Sequence, residues 1–234
     1  MAKKIKPAID TEMKGNDAAV VFLQQQIKDG KLCSGTPLVG PMKDFWEWQV
    51  REGQDYHKEY TGNKFTNADI TFGDSLSFHW GNQTIKVIHS APDGHSEGDA
   101  IVWIPEKRIL IAGDLAVGPT PYATHDNLPQ MVKAIQQVID RKPAIIIPGH
   151  GVVEYDLSYI QLELDAFKGY MAKAEESARN KVPAKEALDN ITLPGIDEKF
   201  YGDDVVKKWA YRAFFARNII YFTYRHNGGL AKAK

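Results

Sequence analysis

The chain has 234 residues, 43% of them hydrophobic, and a formal net charge of -1. That suffices for the core of one domain, or one domain and an extension, and so even a charge balance gives no argument for nucleic acid or an anionic membrane as a main partner, so neither is expected. Its one cysteine, Cys33, excludes an intrachain disulfide. No apolar run reaches the length of a membrane span, and the basic start MAKKIKPAID lacks the apolar stretch of a signal peptide, so a cytoplasmic protein is expected.

Residues 5–9 read as a short strand. Asn16 or Asp17 is placed to cap a helix running through Ile27 and closed by Asp29-Gly30. Val20, Phe22, Leu23 and Ile27 fall on its apolar face. A Gly- and Pro-containing loop over 31–41 leads into an aromatic-rich helix over 42–60, with Phe45, Trp46, Trp48, Tyr56 and Tyr60. It covers a sheet, lines a pocket wall, or forms a substrate-facing lid. From Asp69 the period falls to two: Ile70, Phe72, Leu76, Phe78, Ile85 and Val87 alternate with polar residues, broken at Gly73-Asp74 and Gly81-Asn82. This predicts antiparallel strands joined by tight turns. Residues 100–104 and 108–112 predict a second hairpin, with the continuous apolar character of buried strands. A loop over 118–125 follows, then an amphipathic helix over 128–139 and a buried strand over 144–147. Beyond Val153 the pattern is helical, over 155–180, 183–188 and 203–224. The last helix carries Trp209, Phe214, Ile220 and Phe222 as a broad apolar surface, which serves as core or as a homodimer contact. The expected division is residues 1–153 as one domain and 154–234 as a helical extension packed on it.

Three short polar punctuations end apolar runs: Gly94-His95, Gly113-Asp114 and Gly149-His150. Histidine and aspartate are zinc ligands, and zinc sites draw them from separate strand ends. A glycine before each lets the backbone turn sharply or approach the site closely.

The segment GHSEGDAIVWIPEKRILIAGD, followed by IIPGHG, resembles the second half of the metallo-β-lactamase-fold hydrolases. His95 matches the histidine of that family's GHTxGD-like motif, Asp114 its bridging acidic ligand and His150 its last histidine ligand. The resemblance implies an α/β fold, an αββα sandwich of which this chain holds mainly the second sheet, with a helical C-terminal extension. It also implies a zinc-dependent hydrolase of a small-molecule ester, thioester, lactone or sulfate ester. The family's leading His-x-His-x-Asp-His motif is absent: of His57, His79, His89, His95, His125, His150 and His226, no two are two residues apart. Two zinc ions are therefore expected in the intact family site and one or none in this chain. The alternative is a non-catalytic relative that keeps the scaffold for binding or oligomerisation.

Around the three ligands, Asp99 stands where the family places a carboxylate that supports the site through hydrogen bonds; a turn or cap role is the other reading. His89 and Asp93 are near enough in sequence to be substitute ligands. Tyr122 and His125 lie on the loop after Asp114, where substrate would sit, or where a plain surface loop would run.

Overall fold

The computed structural model describes residues 2–33, 35–61, 68–90, 94–123 and 127–227, with residues 2–10 as backbone. His125 and Asp93 lie outside the described residues. Contacts gather into two compact units, Met1–Thr71 and Phe72–Lys234. The helices after Val153 thus share a unit with the sheet.

The first unit is a helical hairpin, α1 (Ala2–Asp29) against α2 (Pro41–Tyr60). The strand expected over 5–9 is instead the start of α1. Five residues of alternation match one helical face as well as a strand, and the helical run that follows decides the outcome. Asn16 caps nothing: its side-chain amide donates to the Gly53 carbonyl at 2.8 Å, tying α1 to α2. Tyr56 and His57 reach back to Glu12 and Asp17, each at 2.8 Å. Pro41 opens α2, where a missing N–H costs nothing, and Trp46 is the buried aromatic of that helix.

The second unit is built on one five-stranded sheet, β1 (Ser75–Trp80), β2 (Gln83–His89), β3 (Ala100–Ile104), β4 (Ile109–Val117) and β5 (Ile145–His150), in that spatial order. The first four run antiparallel, and β5 runs parallel to β4. Parallel neighbours need a crossover, supplied by α3 (Leu128–Asp140). Ile70 and Phe72, expected in the first strand, precede it and are exposed.

Burial is one-sided. Ile101, Leu110, Ala112 and Ile146 are buried on the face that packs with Leu128, Ala134, Ile135 and Val138 of α3. The alternate residues Val102, Ile104, Ile109, Ile111, Ile145 and Ile147 point the other way and stay partly exposed, Ile111 at 38%. Both faces are apolar, as the continuous runs predict, but only one is fully covered.

Helix α4 (Ser158–Arg179) adds Ile160, Leu164, Phe167 and Tyr170 to the core. Short helices α5 (Ala184–Asn190) and α6 (Asp197–Tyr201) follow. The last helix is one run with a change of pitch: α7 (Val205–Ala210), a π-helical segment Tyr211–Ala216, and α8 (Arg217–His226). The wider π turn changes which rings face inward. Tyr211, Phe215 and Tyr224 are fully buried, Phe222 packs at the edge of the core, and Phe214 remains 36% exposed. Asp197, buried beneath this helix, accepts from the Tyr170 and Tyr211 hydroxyls at 2.8 Å and from the Leu193 amide at 3.0 Å. Among the described residues no helix is long and apolar enough to cross a membrane.

Candidate metal centre

Two of the expected ligands come from the end of a strand or the turn beside one, and the third from within a strand that runs on past the expected end. His95 sits in the turn before β3, Asp114 within β4 just past an irregularity in its pairing with β5, and His150 at the end of β5. Gly113 takes a positive φ of 55° at that irregularity, a conformation natural to glycine.

The three side chains converge. Asp114 Oδ2 lies 3.7 Å from His95 Nε2, and Asp114 Oδ1 lies 3.5 Å from His150 Nε2. One carboxylate thus turns a separate oxygen toward each imidazole. The side chains are 25%, 34% and 60% exposed for His95, Asp114 and His150, so the group opens to solvent on the His150 side. Beside His95 and Asp114 lies a cleft of about 370 Å³. Ala112 and Leu115, both buried, line its wall.

Two ligands roughly 2.0 Å from one tetrahedral ion stand about 3.3 Å apart. Both nitrogen–oxygen separations lie close to that edge, so each histidine and its facing carboxylate oxygen suit a shared ion. A third donor is lacking in each pair: among the described residues no group of three or more His, Cys, Asp or Glu side chains closes around one point. The geometry is two half-sites joined by Asp114.

Asp99 supports the backbone rather than an imidazole ring. Its Oδ2 accepts from the His95 amide at 2.5 Å, and its Oδ1 accepts from the Ser96 amide at 2.9 Å. A methyl at Gly94 would stand 2.7 Å from Asp99 Oδ2 and press on the carboxylate that holds the His95 amide. His89 closes β2 in register with Ala100. Among the described residues, His95 and His150 are the histidines paired with Asp114. Tyr122 lines a crevice together with His95, Ala123, Met131 and Phe167.

Two supporting residues escaped the sequence reading. The Tyr159 hydroxyl donates to the Val117 carbonyl at 2.6 Å, holding the end of β4 where it pairs with His150. Glu163, one turn on, is fully buried, and among the described residues neither carboxylate oxygen has a hydrogen-bond partner. Burial pushes its carboxyl well above the usual range, although the Val117 backbone works the other way. The signal was present: Glu163 falls on the stripe of Ile160, Leu164 and Phe167, where an acid is out of place.

No family model matches the chain. It is 25% identical over 136 residues to a β-lactamase-like protein 2 homolog of Caenorhabditis elegans, covering 58% of this chain and 42% of that protein. The chain is similar to this β-lactamase-like protein and has the metallo-β-lactamase type of α/β fold. Among solved structures that share the fold, the stereoselective inverting sec-alkylsulfatase of Pseudomonas sp. superposes with a TM-score of 0.51 at 14% identity. The match spans 67% of this chain and 26% of that one. A double mutant of a sec-alkyl sulfatase superposes with a TM-score of 0.55, also at 14% identity, over 72% of this chain and 28% of that one. The chain therefore spans less than half the length of each of these proteins.

Proposed function

We propose that this chain carries one side of the active centre of a zinc-dependent hydrolase of the metallo-β-lactamase superfamily, acting on a small ester, thioester, lactone or sulfate ester. The observation that carries the reading is the Asp114 carboxylate, with one oxygen turned to His95 Nε2 and the other to His150 Nε2. An aspartate that only capped a strand would have no reason to face two imidazoles from different strands. Zinc held there would supply a water acidified to hydroxide near neutral pH.

The remaining roles belong to the protein's own side chains. His95 and His150 offer imidazole nitrogens, Asp114 two oxygens, and Asp99 fixes the backbone on which His95 stands. Leu115 and Ala112, both buried, give the cleft beside Asp114 an apolar wall, and a drier wall strengthens the electrostatics next to it. With two donors per half-site, this chain alone should hold at most one zinc, weakly.

The test is zinc stoichiometry of the purified chain with turnover of p-nitrophenyl acetate and a γ-lactone. Weak binding of one ion or fewer, lost in His95→Ala and in Asp114→Ala, supports the reading. Zinc uptake unaffected by either substitution would overturn it. Two tightly held ions with turnover abolished by His95→Ala would show that other residues complete the ligand set. Tight binding of a small molecule with neither zinc nor turnover would favour a non-catalytic relative.

A further inference from the structure

An aromatic strip runs away from His95 across the surface. Tyr122 shares a crevice with His95. Its ring meets Phe214 edge-on, with centroids 6.0 Å apart, and Phe214 meets Trp209 edge-on at 5.2 Å. Tyr122 and Phe214 are 37% and 36% exposed, and Trp209 is partly buried. Tyr211, Phe215 and Tyr224 of the last helix go into the core, whereas Phe214 stays at the surface beside Tyr122.

The strip is also fixed in place. The π-helical segment presents the Phe214 carbonyl to the loop after β4, where the Ala123 amide donates to it at 3.1 Å. Asn218 then spans both: its side-chain amide donates to the Ala123 carbonyl at 2.9 Å and to the Phe214 carbonyl at 3.0 Å. A π turn inside an α-helix is uncommon and often marks a functional site. Here it turns Phe214 outward and clamps the loop bearing Tyr122 beside it.

Resting on the hydrolase reading above, we propose that Tyr122, Phe214 and Trp209 form the subsite for a straight hydrocarbon chain on the substrate. The substrate is then an ester or sulfate ester with an alkyl or acyl tail of several carbons. The strip is apolar and continuous with His95, and its three rings carry no formal charge. Such a surface rewards methylenes laid along it and gives nothing to a charged or highly hydroxylated leaving group.

The experiment does not depend on metal. The full chain is labelled with 5-fluorotryptophan, the Trp209 resonance is assigned through Trp209→Phe, and the His95 ring signal through His95→Ala. Straight-chain alcohols from ethanol to octanol are titrated by NMR. The expected result is saturable binding that tightens about two- to fourfold per added methylene, the upper figure for a fully buried one, with the Trp209 and His95 signals moving together. Tyr122→Ala should weaken octanol at least fivefold and leave ethanol unchanged, while Tyr122→Phe should keep the chain-length dependence. Binding that ignores chain length, or no saturable octanol binding, overturns the proposal. So does a shift of Trp209 without His95, or a dependence untouched by Tyr122→Ala. If the alcohols behave as expected while zinc uptake ignores His95→Ala, the strip stands and the hydrolase reading falls.

Discussion

Gly149 and Asp114 occupy space that no larger pair could share. A methyl built on Gly149 would fall on Asp114 Oδ1 and stand 2.8 Å from the Gly113 carbonyl carbon and 2.9 Å from the Asp114 amide nitrogen. Two of these neighbours are backbone, so neither can swing aside. Gly149→Ala must push β5 away from β4 where Asp114 and His150 meet. We expect a loss of about 1–3 kcal/mol, the range for forced overpacking, read from urea denaturation. Zinc affinity should fall as well, because the aspartate and His150 separate. Unchanged stability and zinc affinity would show that the two strands are not so tightly joined.

Glu163 predicts an unusual pH dependence. Its folded-state carboxyl titrates well above the normal value because burial disfavours the charge. The folded protein therefore binds more protons than the unfolded chain, and stability falls as pH rises above the unfolded value. Glu163→Gln keeps the shape and removes the titration. The melting temperature of Glu163→Gln minus that of the parent should grow between pH 4 and pH 8. A constant difference would mean that Glu163 is charged in the fold or finds a partner.

Asp197 is the opposite kind of buried acid, one with a full set of donors. Tyr170, Tyr211 and the Leu193 amide converge on it. Burial, with the neighbouring Asp197 charge, pushes the Tyr170 hydroxyl above its usual range, so it stays a donor at all ordinary pH. Asp197→Ala strands buried hydroxyls and an amide, each of which costs about 1–3 kcal/mol when left unpaired. Chemical denaturation should show a loss of several kcal/mol, and Asp197→Asn a smaller one.

The contrast between these two acids shows what the sequence could tell. Strand ends and turns were legible because local chemistry fixes them: Gly81-Asn82 turns β1 into β2, and Pro105–Lys107 lie in the turn from β3 to β4. His95, Asp114 and His150 were legible as a group because each follows a glycine, and Asp114 and His150 do so directly after an apolar run. Residues 5–9 misled because five positions carry too little periodicity to separate a strand from a helix. Asn16 misled because a cap and a tertiary hydrogen bond use the same side chain, and the Gly53 carbonyl took it. The inward rings of the last helix were misassigned because a 3.6-residue repeat does not run through a π segment. The Phe214–Ala123 clamp joins residues 91 positions apart by way of backbone groups, and no side-chain pattern announces it.

The sheet itself makes the last prediction. Leu110 and Ile111 are adjacent in β4, similar in volume, and point to opposite faces. Leu110 is fully buried against α3 and its neighbours, whereas Ile111 is 38% exposed. A sequence of isoleucines and leucines on both sides reads as a strand covered twice, and substitution distinguishes the faces. Leu110→Ala should leave a cavity and cost about 2–5 kcal/mol. Ile111→Ala loses only part of its transfer energy and leaves no enclosed void, so it should cost well under half as much. Ile111→Thr, which keeps the β-branch and adds a hydroxyl to a wetted face, should be nearly neutral. The measurement is urea denaturation of the three variants. Equal losses for Leu110→Ala and Ile111→Ala would mean that the second face is covered in solution, and that the chain associates through it.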